Sequence, residues 1–273
     1  MYVNILSLRL LIHFVTNSEN ELTTKTRWKQ ALEKAIAQPE EPIQAITFRR
    51  GWNSAARPVL VRGIDKNEYV IKGQQAGRQT INDQVVARLG VAIGAPVGKP
   101  QLVEISAELI AEDPKFDYLT PGIAHGTLYV ADCFDDRGTG EYASQSENRA
   151  RFALLSVLYG WVYSGDPQFI YKKARPNLVY SVDHGHFFPC GPNWTINNLQ
   201  HAHSAELDRY LVSSCKLTSE EIQQALLALN TVTEDVIIQA VAAPPSEWGL
   251  TIDERVTLIA YLFRRKQELL ALL

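Results

Sequence analysis

The sequence is poor in sulfur: 273 residues hold three cysteines, Cys133, Cys190 and Cys215, and a single methionine at the first position. Three widely spaced cysteines cannot all pair within one chain, and none falls in a CxxC or Cys/His ligand spacing. That speaks against a disulfide framework and against zinc, and makes a reducing cytoplasm the simplest setting. Without an internal methionine, an adaptable Met-lined recognition surface is excluded. An excess of base is also missing, because 30 acids against 27 lysines and arginines leave a formal charge of −3. No whole-chain field draws nucleic acid, although a local basic patch stays open. The apolar run over residues 2–15 (YVNILSLRLLIHFV) is shorter than the about 20 residues of a spanning helix, and Arg9 and His13 interrupt it. It lacks the basic start and small-residue cleavage site of a signal peptide. It reads as an extra strand or helix packed on the body, with an over-long start or a membrane-surface segment as alternatives.

What is present is patterned in two halves. Thr24 to Ala37 has Trp28, Leu32 and Ile36 at helical spacing, and two prolines between Gln38 and Pro42 end it. Strand patterns follow at Ile43 to Arg49, Pro58 to Arg62 and Glu68 to Lys72, the first two separated by the small-residue turn Gly51 to Ala55. Ile81 to Ile93 is an amphipathic helix stopped by Gly94 and Pro96. Pro100 to Ser106, Glu108 to Ala111 and Leu128 to Cys133 read as further strands, with Asp113 to Gly126 irregular. From Ser144 to Ser164 the chain is a strongly apolar helix, and a loop-and-strand segment runs from Gly165 to Phe188. The remainder is mostly helical, at Ala205 to Ser213, Ser219 to Leu229, Glu234 to Ala242 and Ile252 to Leu273. The acids that follow Thr218 and Ser219 suit a capped helix start. The expected division is an extension over 1–40, a β-rich lobe over 41–133 and a helical lobe over 134–273. That layout suits a nucleotide cleft, and it suits other α+β folds as well.

Four charged residues sit where chemistry has use for them. Lys72 ends the apolar strand YVIK, which places a point charge at a sheet rim within reach of phosphate oxygens; an ordinary exposed lysine has the same pattern. Asp83, in the first turn of the following helix, would fix such a lysine, or would simply complement the helix dipole. Asp166 follows a buried helix at the turn SGDPQ, where it accepts a hydroxyl proton if geometry allows, or serves as a turn aspartate before proline. Asp183 leaves the strand Leu178 to Val182 into a glycine turn, DHGH, which suits a hard cation held by oxygen. His184 and His186, two residues apart and without a third ligand, do not make a zinc site.

These residues carry a resemblance. Arg57 to Val61, Val70-Ile71-Lys72, Asn82-Asp83, Leu89-Gly90, Gly94 to Val97, Gly165-Asp166 and above all SVDHGHFF (Ser181 to Phe188) stand in the order found in HipA-like kinases. From roughly Ile43 to Trp194 the chain resembles that family, particularly its small stand-alone domains. The resemblance implies an α+β, two-lobed, protein-kinase-like fold that uses ATP and Mg²⁺ to phosphorylate a protein serine or threonine. It implies that Lys72 meets the α/β-phosphates with Asp83 as its anchor, and that Gly51 to Ala56 covers the phosphates with backbone amides and Ser54. By the same match, Asp166 positions the attacking hydroxyl and Asp183 holds the metal.

The sequence departs from the family at the catalytic loop. Asp166-Pro167-Gln168 stands where the aspartate is usually followed by Arg-His, and Tyr171 falls where a metal-binding Asn is expected. Gln168 offers a carbonyl in its place, and Asn177 lies further along. The phosphate loop has Gly51 as its sole glycine, and the anchor is Asp83 where a Glu is usual. A nucleotide-binding pseudokinase and a plain interaction domain are the competing expectations, the latter requiring that Lys72, Asp83 and Asp183 stay apart. The segment Pro189 to Trp194 stands where a kinase has its activation segment. Residues 1–40 are too few for the extra N-terminal domain of toxin–antitoxin members, so no antitoxin partner is inferred.

Overall fold

A computed structural model describes residues 22–135, 142–143 and 145–273. The apolar run at 2–15 therefore lies outside the described residues, as does Ser144. Helix α1 (22–36) buries Trp28 and Leu32, one turn apart, against the helical half of the molecule. Strands β1 (Ile43–Gly51), β2 (Val59–Gly63), β3 (Glu68–Lys72), β4 (Pro100–Ile105) and β5 (Gly122–Leu128) close into a barrel in the order β1-β2-β3-β5-β4. Val59, Val61, Ile71, Val103, Ile105 and Ala124 fill it. Helix α2 (Gln79–Ala92) follows β3, yet its buried Ile81, Val85, Val86 and Leu89 belong to the core of the helical half.

Three expectations fail between residues 106 and 133. Glu108 to Ala111 is helix, not strand: α3 (Ala107–Glu112) starts from Ser106, whose hydroxyl accepts from Leu109 N at 3.1 Å, with Glu108 in the first turn. The stretch read as irregular contains β5, whose GIAHGTL has little strand propensity but is flanked by β3 and β4, and pairing on both sides overrides propensity. The strand expected at Leu128 to Cys133 is instead a crossing, residues 129–132, from β5 to β6 (Cys133–Asp135).

Helix α4 (Ser146–Val162) is the spine of the helical half, with Phe152, Leu155, Leu158, Tyr159 and Trp161 buried. Beside it, β6, β7 (Gln168–Lys172) and β8 (Val179–Val182) form a small sheet in that order. Five helices complete the chain: α5 (Ile196–Gln200), α6 (Arg209–Ser214), α7 (Ser219–Asn230), α8 (Glu234–Ala242) and α9 (Ile252–Leu270). Thr218 and Glu221 form the capping box that their spacing suggests. The helix expected from Ala205 begins only at Arg209, capped by Asp208. The preceding backbone lies so close to α4 that a Cβ on Gly160 would sit 2.2 Å from Glu206 O. No single described helix is long and apolar enough to cross a membrane.

Candidate active site

Lys72 is the last residue of β3, a strand paired on both sides, so its side chain leaves the barrel from a buried position and is 5% exposed. A buried ammonium must be paired, and two carboxylates do this. Nζ donates to Asp83 Oδ2 at 2.9 Å and to Asp183 Oδ1 at 2.5 Å. Asp83 is the fifth residue of α2, in its second turn rather than its first, so the helix dipole does not account for it. Its other oxygen accepts from the His184 backbone N–H at 2.7 Å. One carboxylate thus joins the strand lysine to the loop that begins at Asp183. Burial alone would lower the Lys72 pKa, but Asp83 and Asp183 outweigh it and hold it above the ordinary value. Burial would raise the Asp83 pKa, and Lys72 reverses that and holds it low. Both groups are therefore charged through the neutral range.

The β7–β8 hairpin brings Asp166 and Asp183 to the same end. Gln168 pairs with Val182, so the residues just before β7 and just after β8 emerge at the same end. Asp166 (φ +51°) and Asp183 (φ +57°) both take left-handed backbone conformations, which cost energy for a residue with a Cβ and tend to cluster at functional sites. Gly165 lets the two loops touch: a Cβ there would lie 2.3 Å from His186 O. Asp166 is exposed, with Gln168 Nε2 3.4 Å from its Oδ2, while the Asp183 side chain is 29% exposed.

The donor set suits a hard cation. Among the described residues there is no group of three or more His, Cys, Asp or Glu side chains able to cage a metal. The partly open carboxylate of Asp183 suits a hard divalent cation of the kind held by one or two carboxylates with phosphate oxygens and waters completing the shell. The histidines stay out of it: His184 is buried and hydrogen-bonded to Ser181 Oγ at 2.8 Å, and His186 is exposed. Tyr171 is 1% exposed and packs on Phe134 and Tyr142. Asn177 spends its amide on Lys172 O at 2.9 Å, holding a turn.

Gly51 is not in the loop but ends β1, paired with Val59 of β2, and Ser54 lies on the exposed β1–β2 loop. Trp52 N donates to Pro58 O (3.0 Å) and Arg57 N to Ser54 O (3.1 Å), which folds the loop on itself. Gln75, three residues after Lys72, reaches from the next turn to donate to Ala56 O at 3.2 Å. Among the described residues no hydrogen bond joins Ser54 to Lys72 or to the aspartates.

Sequence reasoning missed the polar network behind Lys72. His125, on β5 opposite Lys72 in register, is 3% exposed. The Gln84 amide, with its nitrogen toward the ring, donates to His125 Nδ1 at 2.6 Å and accepts from Arg88 at 2.9 Å. His125 Nε2 then donates to Thr127 Oγ1 at 3.0 Å. Burial pushes the His125 pKa down to about 4, so the ring is neutral. Nothing local announced this histidine, because its strand was itself unreadable.

A family profile described as HipA-like kinase matches residues 43–271, well beyond Trp194. Among solved structures, the fold is similar to that of the Helicobacter pylori proinflammatory kinase CtkA. The TM-score is 0.55 at 11% identity, over 85% of this chain and 96% of that one. It is also similar to that of a Golgi casein kinase with Mn/ADP bound, with TM-score 0.51 at 10% identity, over 88% of this chain and 76% of that one. At such identities the likeness is one of fold. No curated protein matches the sequence.

Proposed function

The chain belongs to the HipA-like kinase family, and we propose that it transfers the γ-phosphoryl group of ATP to a serine or threonine hydroxyl of a protein, with Mg²⁺ as the metal. The observation that carries this reading is the convergence of Lys72 on Asp83 and Asp183. An interaction domain without a nucleotide site has no use for a buried lysine shared by two carboxylates, one of them part-open to solvent.

Lys72, held in place by Asp83, presents its ammonium to the α/β-phosphates. Asp183, assisted by the Gln168 carbonyl, would hold Mg²⁺, whose charge offsets that of the phosphate oxygens. Asp166 orients the acceptor hydroxyl and accepts its proton as the oxygen attacks. The Gly51 to Ala56 loop supplies backbone N–H groups and the Ser54 hydroxyl to the phosphates. The same reading takes the protein as cytoplasmic, in keeping with three unpaired cysteines, and its acceptor as an unidentified protein.

One observation favours a second reading. Tyr171, which by the resemblance falls where the family has a metal-binding Asn, is buried among aromatic rings, which would leave a pseudokinase that binds nucleotide without transferring phosphate. ATP turnover and autophosphorylation with Mg²⁺ or Mn²⁺, beside Asp183→Asn and Asp166→Asn and with nucleotide binding followed by thermal shift, decide between them. Transfer lost in both variants supports the kinase. Metal-dependent binding without transfer, for every protein acceptor offered, supports the pseudokinase. Absence of nucleotide binding removes both.

A further inference from the structure

The backbone after Asp183 is held by α2, and the residue that holds it is next to the lysine's anchor. Asn82 is completely buried. Its Nδ2 donates to Gly185 O at 2.9 Å and to Phe187 O at 2.8 Å, and its Oδ1 accepts from Trp194 Nε1 at 2.9 Å. With Asp83 taking the His184 N–H, two consecutive residues of α2 secure three backbone groups between His184 and Phe187. The approach is close, since a Cβ on Gly185 would lie 2.8 Å from Gln79 Cβ of the same helix. Trp194 is in turn fixed: it is 2% exposed, and the Arg78 guanidinium lies 4.4 Å above its ring while pairing with Glu254 of α9 at 2.9 Å.

In protein kinases the corresponding helix and the segment after the metal-binding aspartate are commonly brought into place by phosphorylation of that segment. Here residues 182–194 read VDHGHFFPCGPNW and contain no serine, threonine or tyrosine. The first hydroxyl beyond them, Thr195, is engaged in the capping box of α5. We infer that Asn82, clamped by Trp194, is a positioning residue that keeps Asp183 in register with Lys72, so that the metal site is assembled without phosphorylation of the segment that follows it. This rests on the reading of Asp183 as the metal ligand.

The test uses the full chain as wild type, Asn82→Ala and Trp194→Phe, the last keeping an aromatic ring while deleting the N–H that Asn82 accepts. Three quantities are read: the Mn²⁺ concentration at half-maximal ADP-induced thermal shift, hydrogen exchange across 183–188, and the melting temperature without ligand. The expected result is a Mn²⁺ midpoint raised by about tenfold or more in Asn82→Ala, the usual scale for losing a group that orients a metal ligand. A smaller rise in Trp194→Phe, faster exchange at 183–188 in both, and a wild-type midpoint unchanged by phosphatase treatment are expected with it. Variants that melt lower but keep the wild-type midpoint and exchange would reduce Asn82 to a core residue and overturn the inference. Loss of the wild-type response after phosphatase treatment would overturn it too. A wild type with no Mn²⁺-dependent ADP response would instead bring down the metal reading of Asp183. If Asn82→Ala does not fold, Trp194→Phe alone decides.

Discussion

Two carboxylates share one lysine, and their different burial separates what each is for. Asp83 is enclosed, bonded through both oxygens, whereas Asp183 keeps a side open. Replacing Asp83 by Ala leaves a buried ammonium half-paired and the His184 N–H without its acceptor, which is expected to cost about 3–5 kcal/mol in urea unfolding. Asp183→Asn also takes one charge from the buried ammonium, but its amide oxygen still accepts from Nζ and its site is part-open to water, so the expected loss is smaller, about 1–2 kcal/mol; under the proposed function it abolishes phosphoryl transfer. Equal stability losses in the two variants would contradict this division. The pair itself does not titrate near neutrality, since Lys72 is shifted up and Asp83 down. His125 and His184 do titrate on unfolding, because burial pulls both down to about 4 from 6.5. The unfolded chain then binds more protons than the folded one between those values, so stability is full above pH 6.5 and falls as pH drops toward 4. Chemical denaturation at stepped pH checks this, and His125→Gln should flatten the slope.

At the scale of elements, α9 holds the helical half together by an uncommon use of cations. Arg255 donates to Val241 O, Ala242 O, Pro244 O and Leu250 O, closing the end of α8. Arg265 donates to Gly160 O and Trp161 O in the last turn of α4, and Lys266 to Val232 O just past α7. Each buried cation thus meets the negative end of a helix instead of a carboxylate. Arg255→Met keeps the bulk but strands several carbonyls, and should lower the urea midpoint by the equivalent of about 3 kcal/mol or more; a shift under about 1 kcal/mol would show those carbonyls re-solvated. None of this could be read from Ile252 to Leu273, whose periodicity announces a helix but not which charges turn inward. The same limit explains β5 and His125, defined by neighbours far along the chain. What was legible had a local cause: apolar strands ending in Lys72 or Asp183, Gly165 before Asp166, Thr218 before its acids. That Tyr171 stands where the family has Asn followed only from the resemblance, and its burial among rings could not be read from the sequence at all.

Across the whole molecule, the barrel is fastened to the helical half at both ends of one strand. At Leu128, β5 runs on into the crossing at 129–132. At Ile123, roughly 17 Å away along an extended strand, the backbone N–H is accepted by Glu247 at 2.9 Å and the C=O receives Trp248 Nε1 at 2.9 Å. The Lys72–Asp183 pair adds a third fastening, from the end of β3. Trp248→Phe removes one of these bonds, worth about 1 kcal/mol, and should lower the melting temperature by about 2–4 °C while hydrogen exchange rises in β5 and not in β2. Uniform exchange across the barrel would mean that the brace is incidental. A body pinned at two points on one strand does not swing about a single crossing, which leaves the short β1–β2 loop, tethered by the Gln75 amide, as the part with room to yield. Under the proposed function, the rhythm of nucleotide arrival and departure would then follow how long the Gln75 amide and the stacking of Arg57 on Tyr118 keep their grip on that loop, more than how firmly the aspartates sit beneath it.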